Sequence, residues 1–381
     1  MTKLNPRNLS RSLLAGLALY ASSWCSADSL RVYVGTDTGP TKGQGIYLTQ
    51  LDTASGTLAP PELAVKSTNP TFLALHPSGK FLFAANGVQR LNGKRVGAAS
   101  SFSIDPATGK LTAINQASSG NVGPCHLSID REGKNLLIAN YSGGGFAVIP
   151  VDDAGKLSEP SCSIQDDKSN PKLPPRGHCI QPDPSGKFVL GDDLGLDRIF
   201  VFRFDAVKGL LTANDPPAAE TPHGTGPRHI AFHPNGKWAY NIDETKSTMI
   251  AYAWDAEKGV LTELQTLSTL PADFHRTSTA AEVVVHPSGK FVYGSNRGHD
   301  SIAIFKIDNE TGKLTPSGDV PTGGKTPRSF AVDPSGNWLV VGNQDSGQVA
   351  AFNVNADTGD LTPSGQPIKV PVPVCVMFAP K

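Results

Sequence analysis

The sequence predicts an all-β chain folded as a seven-bladed β-propeller with four antiparallel strands per blade, and three observations carry that prediction. The first is composition. Gly 39 and Pro 31 among 381 residues punctuate helices and long strands, while 38% hydrophobic residues, spread evenly, supply a core. The second is a turn phrase that returns six times, as His76-Pro77-Ser78-Gly79-Lys80-Phe81, Asp130-Arg131-Glu132-Gly133-Lys134, Asp183-Pro184-Ser185-Gly186-Lys187-Phe188, His233-Pro234-Asn235-Gly236-Lys237-Trp238, His286-Pro287-Ser288-Gly289-Lys290-Phe291 and Asp333-Pro334-Ser335-Gly336-Asn337-Trp338. The third is a Gly-x-Leu phrase that returns seven times, at Gly56, Gly109, Gly155, Gly209, Gly259, Gly312 and Gly359, at intervals of 53, 46, 54, 50, 53 and 47 residues. Units of that length hide their sheet faces against one another, and ring closure leaves no open edge.

The elements follow in chain order. Lys3, Arg7 and Arg11 precede the apolar run Leu13 to Ala21, and Cys25-Ser26-Ala27 offers a small-residue cleavage site, so residues 1–27 read as a signal peptide. The run is too short to span a bilayer, and Trp24 is too bulky for a lipoprotein site. The expected mature protein is one domain over residues 28–381, exported and free of the membrane, with 31 Lys+Arg left against 34 Asp+Glu. That balance offers no basic stripe for nucleic acid.

Within each unit an apolar run enters the Pro-Ser-Gly-Lys turn, a second strand such as Phe81 to Asn86 returns, a third such as Ser301 to Phe305 follows, and a fourth leaves Gly-x-Leu. The first unit begins directly with a second strand, Arg31 to Gly35, and the missing opening strand stands at the other end of the chain as Val372 to Phe378. One blade is therefore expected to be closed by the N- and C-terminal strands. The repeats carry neither WD40 nor kelch marks.

The start of each first strand and the end of each second strand meet on one rim, at the mouth of the central channel. Aligned there are Pro70, Pro124, Gly177, Pro227, Ala280, Pro327 and Pro373, then Thr71, Cys125, His178, Arg228, Ala281, Arg328 and Val374, then Phe72, His126, Cys179, His229, Glu282, Ser329 and Cys375. Second strands end in Asn86, Asn140, Asp193, Asp243, Asn296 and Asn343, followed by Gly87, Tyr141, Leu194, Glu244, Arg297 and Gln344. Structural columns in a repeat protein hold one residue type, whereas these mix His, Arg, Glu and Cys. Such asymmetry marks a ligand site. The alternative is polar capping of strand ends, which suits the Asn/Asp column best.

Read with their neighbours, these columns resemble the seven-bladed propeller lactonases, a family that includes bacterial 6-phosphogluconolactonases and, more distantly, a fungal muconate lactonising enzyme. The resemblance spans the mature chain and rests on Tyr33-Val34-Gly35-Thr36, Pro124-Cys125-His126-Leu127, Ala139-Asn140-Tyr141-Ser142-Gly143-Gly144, Asp193-Leu194-Gly195-Leu196-Asp197, Gly226-Pro227-Arg228-His229, Ala280-Ala281-Glu282, Ser295-Asn296-Arg297-Gly298 and Pro327-Arg328. The family's Pro-His-x-His stands here as Pro175-Arg176-Gly177-His178, with Arg176 replacing the first His. The resemblance implies catalytic positions at His178, Arg228, Glu244 and Arg297, with Glu282 and His229 beside them; the mouth as a whole is expected to contact substrate through His126, Arg176, His229, Glu282, Asn296, Arg328 and Asn343.

Lactone hydrolysis needs an activated water and a stabilised oxyanion. Histidine, with an ordinary pKa of roughly 6.5, suits the first task, so His178 is the expected general base, with Glu282 as competitor. The guanidinium groups of Arg228 and Arg297 suit the second, and Glu244 orients one of them or the His. No metal motif is present and no cofactor is expected. Of the mature cysteines, Cys125 and Cys179 begin neighbouring inner strands one residue out of phase, and Cys162 and Cys375 stand apart; pairing is left open.

The expected activity is opening of a sugar lactone, with glucono-1,5-lactone in the periplasm the substrate that reconciles family and leader. The alternatives are a non-catalytic exported scaffold, a 6-phosphogluconolactonase and a muconate-type lactonising isomerase.

Overall fold

A computed structural model describes residues 29–39, 42–166, 168–170 and 172–379; the expected leader over residues 1–27 lies outside them. Among the described residues there are 28 strands and no helix, and the strands form seven four-stranded antiparallel sheets. The first strands of the blades are β4 (Pro70–Leu75), β8 (Pro124–Ile129), β12 (Gly177–Pro182), β16 (Pro227–Phe232), β20 (Thr279–Val285), β24 (Pro327–Val332) and β28 (Pro373–Ala379). These pack side by side around the centre, each against the next and β28 against β4. The N-terminal strand β1 (Ser29–Thr36) pairs antiparallel with β28, Val34 opposite Val376, so both termini close one blade as the sequence predicts.

Between blades lie seven apolar clusters. The cluster beside the closing blade joins Val32, Val34 and Val376 to Trp338 and Val340 of the preceding blade. Burying each such side chain contributes about 1.5–3 kcal/mol.

The two repeated phrases meet on the face opposite the mouth. Each Gly of Gly-x-Leu has positive φ, between 62° and 78°. At five of the seven, Gly56, Gly155, Gly259, Gly312 and Gly359, a β-carbon would strike the aromatic residue that follows the preceding blade's turn, as 2.5 Å from Phe81 at Gly155, 2.4 Å from Phe188 at Gly259, 2.5 Å from Trp238 at Gly312 and 2.4 Å from Trp338 at Gly56. The carbonyl of the same glycine accepts a hydrogen bond from the preceding blade, as Gly312 does from Tyr240 at 3.1 Å and Gly359 from Tyr293 at 3.0 Å. Glycine recurs because only it tolerates both the backbone and the contact.

The first residue of the turn phrase has two uses. Asp183 and Asp333 cap their own turns by accepting from the Phe188 and Trp338 backbone N–H groups. His76, His233 and His286 instead donate through Nε2 to the turn carbonyl of the next blade, at Gly133, Gly289 and Gly336.

Candidate active site

The aligned rim positions pair across the first two strands of their blades: Pro70 with Asn86, Pro124 with Asn140, Gly177 with Asp193, Pro227 with Asp243, Ala280 with Asn296 and Pro327 with Asn343. Immediately after this pair every inner strand bulges. The unpaired residue is Thr71, Cys125, His178, Arg228, Arg328 or Val374, and in β20 two residues, Ala281 and Glu282, are unpaired. A bulge re-aims a side chain without ending the sheet, which is how a strand interior presents functional groups.

The mouth cavity measures about 350 Å³ and is lined by Cys125, Tyr141, His178, Glu244, Arg297 and Arg328, with Gly87, Gln89, Gly123, Pro124 and Ser142. Glu244 Oε2 accepts from Arg228 Nε at 3.1 Å and from Arg297 Nη2 at 3.0 Å. Burial raises the Glu244 carboxyl, but the two guanidinium groups outweigh it and hold it below its ordinary value. Arg228 is enclosed behind Glu244, its side chain 3% exposed, and donates through Nη1 to the Ala281 carbonyl at 2.6 Å. Arg328 has no hydrogen bond or ion pair to the described protein. Burial, then the charges of Arg228 and Arg297, bring its pKa down to about 10, which leaves it cationic at neutral pH.

His178 is buried, with Nδ1 unpartnered. Burial, followed by Arg228, His229, Arg328 and His126, pushes its pKa well below the ordinary value, so the imidazole is neutral. The cavity thus joins a neutral imidazole to Arg328 and to a carboxylate, Glu244, held between Arg297 in the lining and Arg228 behind it.

His126, His229 and Glu282 do not share this cavity. His126 and His229, one position beyond their bulges, and Glu282, the second residue of the β20 bulge, line a second cavity of about 550 Å³ toward the opposite face, with Phe72, Cys179 and Phe232. The rings of His178 and His229 stand 5.1 Å apart, centroid to centroid, across the partition. Two positions expected at the ligand, Asn296 and Asn343, line neither cavity. Asn296 bonds Thr269 through both ends of its amide, and Asn343 bonds Thr322 in the same way, tying the second strand to the preceding interblade loop; both are fully buried. Arg176 is a further departure, being exposed on the rim with its guanidinium 5.5 Å from the centre of the Tyr141 ring, outside the cavity lining.

Tyr141 and Gly87 are cavity residues that sequence reasoning did not single out, although they occupy the same column as Glu244 and Arg297. Gln89 lies in an insertion after β5 (Phe81–Asn86), where no repeat position reports on it. The four described cysteines are free thiols, and Cys125 Sγ donates to the His178 carbonyl at 3.3 Å. Among the described residues no three His, Cys, Asp or Glu side chains are grouped to hold a metal ion, and no helix is long and apolar enough to cross a membrane.

A neutral imidazole beside guanidinium groups at a propeller mouth is the equipment of a hydrolase acting on an ester-type bond. The chain belongs to the seven-bladed β-propeller lactonases: the family model "Lactonase, 7-bladed beta-propeller" matches residues 31–378. It is 35% identical over 351 residues to the 6-phosphogluconolactonase of Bacillus subtilis, covering 91% of this chain and 97% of the relative. With the 6-phosphogluconolactonase of Formosa agariphila it shares 32% identity, over 79% of this chain and 85% of that one. The solved structure of the periplasmic gluconolactonase of Pseudomonas aeruginosa superposes with TM-score 0.85 at 30% identity, covering 92% of this chain and 99% of that one. The protein is accordingly a lactonase, a hydrolase.

Proposed function

We propose that this lactonase opens glucono-1,5-lactone outside the cytoplasm, residues 1–27 being removed as a signal peptide and residues 28–381 acting as one domain. The observation that carries the chemistry is the pairing, in one cavity, of neutral His178 with the cationic Arg328. His178 takes a proton from water as its oxygen bonds to the lactone carbonyl carbon, and the carbonyl electron pair moves onto oxygen, where Arg297 and Arg328 stabilise it. Collapse breaks the ring C–O bond, and the departing ring oxygen receives the proton held by His178. The product is a hydroxy acid whose carboxylate faces Arg328. Glu244, fixed by Arg228 and Arg297, orients Arg297 toward the carbonyl.

Export is supported by the basic, apolar and small-residue order of the first 27 positions and by likeness to a protein named as a periplasmic gluconolactonase. A second reading, 6-phosphogluconolactone as substrate, draws on the names of the Bacillus and Formosa relatives and on the net positive mouth. Comparing kcat/KM on glucono-1,5-lactone with that on its 6-phosphate, together with cell fractionation, separates the two. The proposal expects the unphosphorylated lactone to be turned over at least as well by an exported protein. A hundredfold preference for the phosphorylated lactone, or a cytoplasmic protein with its leader intact, overturns it.

A further inference from the structure

We infer that His229 and Glu282 are a positioning pair, reaching from the second cavity to fix the plane of Arg228 and, through it, the Glu244 carboxylate at the mouth. A guanidinium only donates hydrogen bonds. The contact from Arg228 Nη1 to His229 Nε2, at 3.2 Å, therefore makes Nε2 the acceptor and leaves the ring proton on Nδ1. That N–H donates to Glu282 Oε1 at 2.7 Å. The chain of contacts continues from Arg228 Nε to Glu244 Oε2 and from there to Arg297 Nη2.

The backbone is built to the same end. Only in β20 does the bulge leave two residues unpaired, and those two supply both remaining anchors: the Ala281 carbonyl, which accepts from Arg228 Nη1, and the Glu282 carboxylate. The Glu282 N–H is itself held by Ser295 Oγ at 3.0 Å. Glu282 and His229 line the second cavity rather than the mouth, so neither touches a substrate bound there. On this arrangement Glu282 orients and does not take the proton from water, and His229 is locked in one tautomer by partners on both nitrogens. Besides Glu282 and Arg228, the ring faces His126 and His178.

The inference rests on the lactonase mechanism above for its effect on rate, and on the hydrogen bonds alone for the tautomer. Two measurements on the full chain use these separately. In lactone hydrolysis, Glu282→Gln, which still accepts from Nδ1–H, is expected to keep kcat within about threefold of the parent, whereas Glu282→Leu lowers kcat by about tenfold to a hundredfold with KM little changed. Equal loss in both variants means that Glu282 is a proton acceptor, and no loss in Glu282→Leu means that it positions nothing; either overturns the inference. Long-range 15N–1H spectra of the imidazoles, independent of turnover and of whether Glu282→Leu folds, are expected to show His229 as the Nδ1–H tautomer in the parent and in Glu282→Gln. An Nε2–H tautomer, or an imidazolium at neutral pH, overturns it. If Arg228→Ala retains full activity, nothing reaches the mouth through that guanidinium and the positioning inference fails while the proposed function stands; if no sugar lactone is turned over by the parent while the tautomer is as expected, the proposed function fails and the hydrogen-bonded pair stands.

Discussion

The two faces of the propeller are made by the same strands and obey opposite rules. On the turn face, blade after blade repeats one contact, the residue after Pro-Ser-Gly-Lys lying against the next blade's Gly-x-Leu glycine. On the mouth face, seven bulges at one aligned position present Thr, Cys, His, Arg, Ala-Glu, Arg and Val. Repetition serves a task that is the same in every blade, the sealing of neighbours. Variation serves a ligand whose atoms have no sevenfold symmetry. Stability is therefore concentrated on one face and chemistry on the other, and substitutions on the two are expected to separate these properties.

The largest effect tests the ring itself. Deleting residues 372–381 removes β28, the partner of β1, and leaves one blade with an unpaired inner edge and its apolar cluster open. The expected outcome is loss of cooperative thermal unfolding; a truncated chain that melts as sharply as the parent shows that terminal closure does not hold the ring.

Next is the turn face. Gly312→Val puts a branched side chain at φ 70° with its β-carbon 2.5 Å from Trp238. A cost of about 3 kcal/mol or more is expected in denaturant unfolding, with turnover per folded molecule unchanged. A stable variant with impaired kcat would reverse the assignment of the two faces.

His178→Ala is the converse. It removes the proposed base from a cavity rather than a packed core, so kcat is expected to fall about a hundredfold or more while the melting temperature changes little. The pH profile sharpens it. Because the imidazole is held well below its ordinary pKa, the acid limb of kcat/KM is expected below about 6.5, the value of an unperturbed histidine. A limb at or above that value removes His178 from the base role.

The smallest effect concerns acids buried near the mouth. Burial lifts Asp243 to about 7, and burial together with its hydrogen bond to Asp193 lifts Asp166 to about 8. Between the ordinary carboxyl value, about 3.9, and these values the folded chain holds protons that the unfolded chain has released, so stability falls as pH rises. The melting temperature is expected to decline from pH 5 to pH 8, and Asp243→Asn, which still accepts from Thr248, to decline less. A parent whose stability rises across that range contradicts the burial of these protonated groups.

Sequence by itself determined the ring: the two phrases report local turn geometry, which glycine and proline specify within a few residues, and their count gives the number of blades. It also marked the mouth columns, since pairs such as Gly177 with Asp193 follow from counting along two strands joined by a short turn. Only the tertiary structure decided which column faces which cavity. The bulge between them sends His178 to the mouth and His229 to the opposite side, a difference of one position that strand alternation within a single blade does not reveal. It likewise decided that Asn296 and Asn343 bind threonines of interblade loops and that Arg328 shares the mouth cavity with Glu244 and Arg297. Those outcomes depend on side chains brought together from neighbouring blades, as Asn296 with Thr269, 27 residues away, and Asn343 with Thr322, 21 residues away, and on charges whose balance exists only once the ring is closed.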